Sequence, residues 1–128
     1  MAMTYADAKE RLLNIDFHAI TLVPANGITA DDIGKLGTIS GIGEWGLGLD
    51  AGAPFGVLNR FETDAVGVQD GGYAEIDIEH NADPTKEVTN GSWVELDGLG
   101  KGALSATNKG VIAVAVDAVG HKAIVKLG

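Results

Sequence analysis

The chain has 128 residues, 45% apolar and 21% charged, which suits one domain with a genuine hydrophobic core and argues against intrinsic disorder. Its formal net charge of −9, with nine scattered Lys and Arg against 18 Asp and Glu, excludes a clustered phosphate-binding surface and hence a nucleic-acid partner. The lack of cysteine excludes disulfides, thiolate metal sites and thiol nucleophiles. Nineteen glycines set among Val, Ile, Leu and Ala, with 5% aromatics, are the material of short strands and tight turns. No apolar run approaches the roughly 18 residues of a membrane span. MAMTYADAKERLL has no basic stretch followed by an apolar one, so we expect no signal peptide. The acidity is uneven: residues 1–90 hold fifteen acidic and five basic groups, residues 91–128 three and four. It reads as a solvated face, or as a docking surface for a basic partner.

Residues 4–13 read as a short amphipathic helix. Thr4 caps it, with Asp7 three residues on as a capping-box partner, and Tyr5, Ala8, Leu12 and Leu13 fall on one apolar stripe. A helix of about ten residues is marginal alone, so that stripe needs cover from its own core or from a neighbouring chain. We therefore expect an N-terminal helical arm over 1–16 and a single β-rich domain over 17–128. Phe17 to Val23 is a strand ended by Pro24 and the Asn26-Gly27 turn, and Thr29 to Asp32 starts one helical turn that Gly34 and Gly37 stop. Residues 37–56 hold seven glycines in twenty positions and read as a long irregular connection with bulged strand fragments.

From Val57 onward the pattern is strand and turn. Ala65–Val68 is a short strand followed by an Asp70-Gly71-Gly72 turn. Tyr73–His80 alternates, with Ala74, Ile76 and Ile78 inward and Glu75, Asp77 and Glu79 outward as a solvated acidic row. Asn90-Gly91 is a turn, Ser92–Leu96 a strand and 98–110 rich in loops. Val111–Val116, apolar on both faces, pairs with His121–Leu127 in a closing hairpin whose inner strand is buried. The fold class is mainly β, a small β-barrel or β-sandwich-like domain.

Chemical motifs are sparse. Gly41-Ile-Gly43-Glu44-Trp45-Gly46 fits G-x-G-x-x-G, but no helix follows it and Glu44 would repel phosphates. His18, His80 and His121 lack zinc-ligand spacing, and His80 continues the inward face of its strand. Asp31-Asp32 and the acidic row would hold a divalent cation only weakly, and no calcium-loop pattern is present. Ser40, Ser92 and Ser105 lie outside any nucleophile elbow. Lys101 and Lys109 lack the context of a cofactor-carrying hairpin. We expect no catalytic residue, cofactor or metal. Trp45, isolated among glycines, is either a core plug or an exposed anchor for a partner.

Two stretches resemble the bacteriophage capsid decoration, or cement, proteins. They are Pro54-Phe-Gly-Val57 … Ala65-Val-Gly-Val68 … Gly71-Gly-Tyr73-Ala-Glu-Ile76 and Gly110-Val-Ile-Ala-Val-Ala-Val-Asp117 … His121-Lys-Ala-Ile-Val-Lys-Leu127. The resemblance covers the second half, from about Pro54 to Leu127. It implies a barrel-like body on the outer capsid surface, commonly as homotrimers at local three-fold positions, bridging major capsid proteins and made in the host cytoplasm. It also implies that an N-terminal arm makes much of the shell contact. The partner-binding candidates are then Tyr5, Leu12 and Leu13 on the helix stripe, and Trp45. Another self-assembling tail or adhesin β-domain, or a glycan- or small-molecule-binding barrel, remain alternatives.

Overall fold

The computed structural model describes residues 3–128, so the first two residues of the expected arm lie outside the description. Helix α1 (Tyr5–Leu12) begins at a complete capping box: the Thr4 hydroxyl accepts from the Asp7 amide at 3.1 Å, and the Asp7 carboxylate accepts from the Thr4 amide at 3.2 Å. Nine strands follow. They are β1 (His18–Pro24), β2 (Leu36–Gly41), β3 (Glu44–Gly46), β4 (Gly56–Glu62), β5 (Ala65–Asp77), β6 (Trp93–Leu96), β7 (Gly102–Leu104), β8 (Val111–Asp117) and β9 (Lys122–Leu127). Single 3-10 turns stand at Ala30–Asp32 and Pro84–Lys86. The protein is mainly β with one short N-terminal helix.

The pairings form two circuits that share β5. One runs β1–β3–β2–β4–β5 and returns to β1; its one parallel pairing sets Val23 beside Glu44 and Pro24 beside Trp45. The other runs β5–β9–β8–β6–β7, antiparallel throughout. A parallel bridge from Ile78, just past β5, to Gly102 in β7 closes it. Strands paired on both sides offer little free edge for a further chain.

β5 departs from expectation. The Asp70-Gly71-Gly72 stretch is not a turn between two strands but the middle of one strand of 13 residues. Before it, Val66 to Gln69 pair with β1 and β4; from Gly72 on, the strand pairs with β9. Gly72 takes φ +80°, and a Cβ there would lie 2.6 Å from the Ile15 carbonyl oxygen. The glycines serve a change of partners and the close passage of the chain entering β1.

Two clusters of buried residues fill the body, and the larger one joins the second circuit to Leu36 and Val57 of β2 and β4. Leu36, Val57, Ala74, Ile76, Ile78, Val94, Leu96, Val125 and Leu127 belong to one cluster. Trp45, Leu58, Val66 and Val68 form the other, with Leu22, Ile28, Phe55 and Phe61 packed on it. The alternation in Tyr73–Ile78 is as expected on its inward side.

Trp45 corrects the reading of 37–56. It is 0% exposed, so it is the core plug and not an exposed anchor. Its indole N–H donates to the Gly56 carbonyl at 3.2 Å. Gly37 makes room for it: a Cβ there would stand 2.5 Å from the ring and 2.3 Å from the Gly46 carbonyl oxygen. The glycine-rich segment thus starts as a bulged hairpin, β2–β3, with a register shift between Ile39 and Gly41, and only then becomes a loop.

The closing hairpin forms as β8–β9, but the buried strand is β9, where Ala123, Ile124, Val125 and Leu127 are all inside. In β8 a register shift between Ala113 and Ala115 turns Val114 outward, and only Ala113 is fully buried. Composition marked β8 as the inner strand; its neighbours made it half-exposed.

Trp45→Ala should cost about 3–5 kcal/mol and Ile76→Ala about 2–5 kcal/mol in urea unfolding, while half-buried Ile112→Ala should fall below that range. Equal costs for Ile112 and Ile76 would contradict the core assignment.

Candidate interaction surface

Helix α1 packs across β5 and β8 on the outside of the second circuit. The Tyr5 hydroxyl donates to Glu75 Oε2 at 2.8 Å, Lys9 pairs with the other oxygen of Glu75 at 3.3 Å, and Ala8 is buried. Ile124, beside Glu75 and Ala115 in the pairing register, is fully buried yet belongs to neither core cluster. The helix is what covers that face. Leu13 borders a depression shared with Val57, Leu58 and Tyr73.

Tyr5, Leu12 and Leu13 are therefore half-buried on the chain's own body, and residues 4–13 are part of the domain, not a projecting arm. The physical reason is the marginal stability of an isolated short helix: it gains more by covering Ile124 and engaging Glu75 than by standing in water. The acidic row changes in consequence. Glu75 is covered and paired, and Asp77 pairs with Lys122 at 2.7 Å, a bond that raises the lysine's pKa. Glu79 is exposed; partial desolvation first, then the charges of Asp97 and Asp50, raise its carboxyl above the usual range against the opposing Lys101.

The other sequence candidates serve local structure. In Asp31-Asp32, burial pushes the Asp32 carboxyl up, but Lys35 at 2.8 Å and the Thr29 amide at 2.8 Å outweigh it and hold the group below its usual value. The G-x-G-x-x-G stretch is the β2–β3 hairpin, with Gly43 in the left-handed turn at φ +65°. His18 sits 2.6 Å from Asp70 on the surface. His80, expected to be half-buried, has an exposed side chain because the strand pairing of β5 ends before it. Among the described residues no hydroxyl is hydrogen-bonded to an imidazole.

An apolar surface open to solvent lies at the hairpin end of the first circuit. Ile42 occupies the β2–β3 tip between Gly41 and Gly43 and is fully exposed. The tip is held: the Val23 amide donates to the Gly43 carbonyl at 2.9 Å, which brings exposed Val23 alongside. Next to it opens a groove of about 700 Å³, walled by Ile28, Ile39, Leu47, Leu49 and Leu96 with small residues between them. No charged side chain lines it, and Ile39 and the 81%-exposed Leu49 turn apolar surface to solvent. Residue type alone marks Trp45 in this segment as the anchor candidate, since a tryptophan outranks an isoleucine, but the exposed apolar side chain is Ile42. The signal available was the Gly-Ile-Gly triplet, which sets an apolar side chain on a tight turn.

No protein-family model and no curated protein matches the chain.

Burial first, then the bond to Glu75 and the charges of Glu75, Asp117 and Asp77, raise the Tyr5 hydroxyl well above the usual phenol range near 10. A folded-state pKa above the unfolded one gives stability that is complete below about pH 10 and declines as pH rises further, because the unfolded chain loses its proton first. Tyr5→Phe should destabilise by about 1 kcal/mol at pH 7 and should flatten that alkaline decline in melting temperature. For Glu79 the sign is the same but the window is acidic: its contribution is present below the unfolded value near 4.5 and lost above it. Glu79→Gln should therefore raise the melting temperature at pH 7 and lose that advantage below about pH 4; an unchanged melting temperature at pH 7 would count against the assigned repulsion.

Proposed function

We propose that this chain is a non-enzymatic virion structural protein, a capsid decoration protein that binds the outer surface of a shell of major capsid proteins and stabilises it. The observation that carries the reading is the uncharged apolar surface at the hairpin end: Ile42 fully exposed on a held tip, beside a groove to which Ile39 and Leu49 contribute. Contiguous exposed apolar surface is the mark of a protein contact. On a chain of net charge −9, a contact made through an uncharged patch also avoids bringing acidic surfaces together. The likeness of residues 54–127 to decoration proteins supplies the partner and suggests assembly as homotrimers. The shell contact moves from the helix stripe and Trp45 to Ile42, Ile39 and Leu49, because the former are engaged within the domain.

The test is co-sedimentation with empty shells. Ile42→Asp and Leu49→Asp should change stability by no more than about 0.5 kcal/mol, since both side chains are already in water, and should abolish or sharply weaken shell binding. Unaltered binding by both variants would move the contact elsewhere. A second reading has one observation in its favour: about 700 Å³ falls within the size of small-molecule sites. A rise in melting temperature with a glycan or small apolar ligand, lost in Leu49→Asp, would favour it over shell binding.

A further inference from the structure

We propose that His80 and His121 form a two-imidazole site for a borderline divalent transition ion, with Zn²⁺ as the probe. The two residues lie 41 positions apart in the chain. The fold joins them because the Ile78 amide donates to the His121 carbonyl at 3.0 Å, tying the β8–β9 turn to the end of β5. Their ring centroids are 4.5 Å apart with a 45° tilt.

His80 has a carboxylate neighbour of the kind that ligating imidazoles use. Its Nδ1 lies 3.0 Å from Glu87 Oε1, and Glu87 is itself held by the Asn81 amide at 2.9 Å. With the carboxylate on the Nδ1 side, Nε2 is the ring nitrogen open to a metal. His121 is positioned by its backbone, which takes the left-handed φ of +52°, uncommon for a residue with a side chain and maintained here by the turn. Zn–N bonds of about 2.0–2.1 Å in a tetrahedral ion set two ligand nitrogens roughly 3.4 Å apart. Rings with centroids 4.5 Å apart are close enough for one nitrogen of each to reach that separation. The His80 side chain is 65% exposed, so an ion enters from solvent. No three His, Asp or Glu side chains converge on one point among the described residues, so water completes the coordination.

Calorimetric titration of tag-free, full-length protein with Zn²⁺, together with ring-nitrogen NMR, tests the site. One ion should bind per chain, shifting the ring signals of His80 and His121 and leaving those of His18 in place. His80→Gln and His121→Asn should each weaken binding at least tenfold, and Glu87→Gln by about 10–100-fold. Asparagine tolerates the left-handed backbone, and circular dichroism checks each variant's fold. Should a variant fail to fold, the wild-type ring shifts decide. No binding, binding without shifts at both rings, or wild-type affinity in the folded His80→Gln or His121→Asn variant would overturn the proposal.

Discussion

At Gly71 and Gly72 a single strand leaves one set of neighbours and takes another. Up to Gln69, β5 is held between β1 and β4; from Gly72 it lies beside β9. Because one backbone belongs to both circuits, the two cores cannot move independently. The passage is tight, with the carbonyls of Ile15 and Asp16 within 3 Å of where a Gly72 side chain would begin. Only a residue with no Cβ and access to positive φ fits there. The approach of the chain to β1, and through it the seat of α1, follows from that point.

The first circuit has the smaller core and solves its packing with one large ring. Trp45 packs among Leu58, Val66 and Val68, and glycines at 37 and 56 stand where side chains would collide with the ring or with neighbouring backbone. The abundance of glycine in this segment, costly to order, is offset by the burial of an entire indole and its hydrogen bond to Gly56. The second circuit is built from β-branched and aliphatic residues in alternation and needs the helix on its outer face, where Ile124 would otherwise meet water.

The surface divides accordingly. Acidic groups on the second circuit are largely engaged: Glu75 by Tyr5 and Lys9, Asp77 by Lys122, Glu87 by His80 and the Asn81 amide. The hairpin end of the first circuit carries apolar side chains with nothing of the chain's own to cover them. The contact proposed for this chain rests on that contrast.

Local chemistry was enough to determine much of this molecule. The Thr4–Asp7 box starts the helix, Thr29 and Asp32 start the 3-10 turn, the alternation of Ala74, Ile76 and Ile78 faces inward, and the mainly β class follows from glycine spacing among β-branched residues. These features depend on residues within a few positions of one another. What only the tertiary structure decided depends on groups far apart in sequence. Whether Gly71-Gly72 turns the chain or bends a continuous strand depends on whether β1 and β9 are there to pair with it. Whether Trp45 is inside or outside depends on Gly37 and Gly56 meeting around it, and whether Tyr5 is free depends on Glu75, 70 residues away. Periodicity reports which side chains want burial; only the assembled backbone sets which of them find it within the chain and which stay exposed.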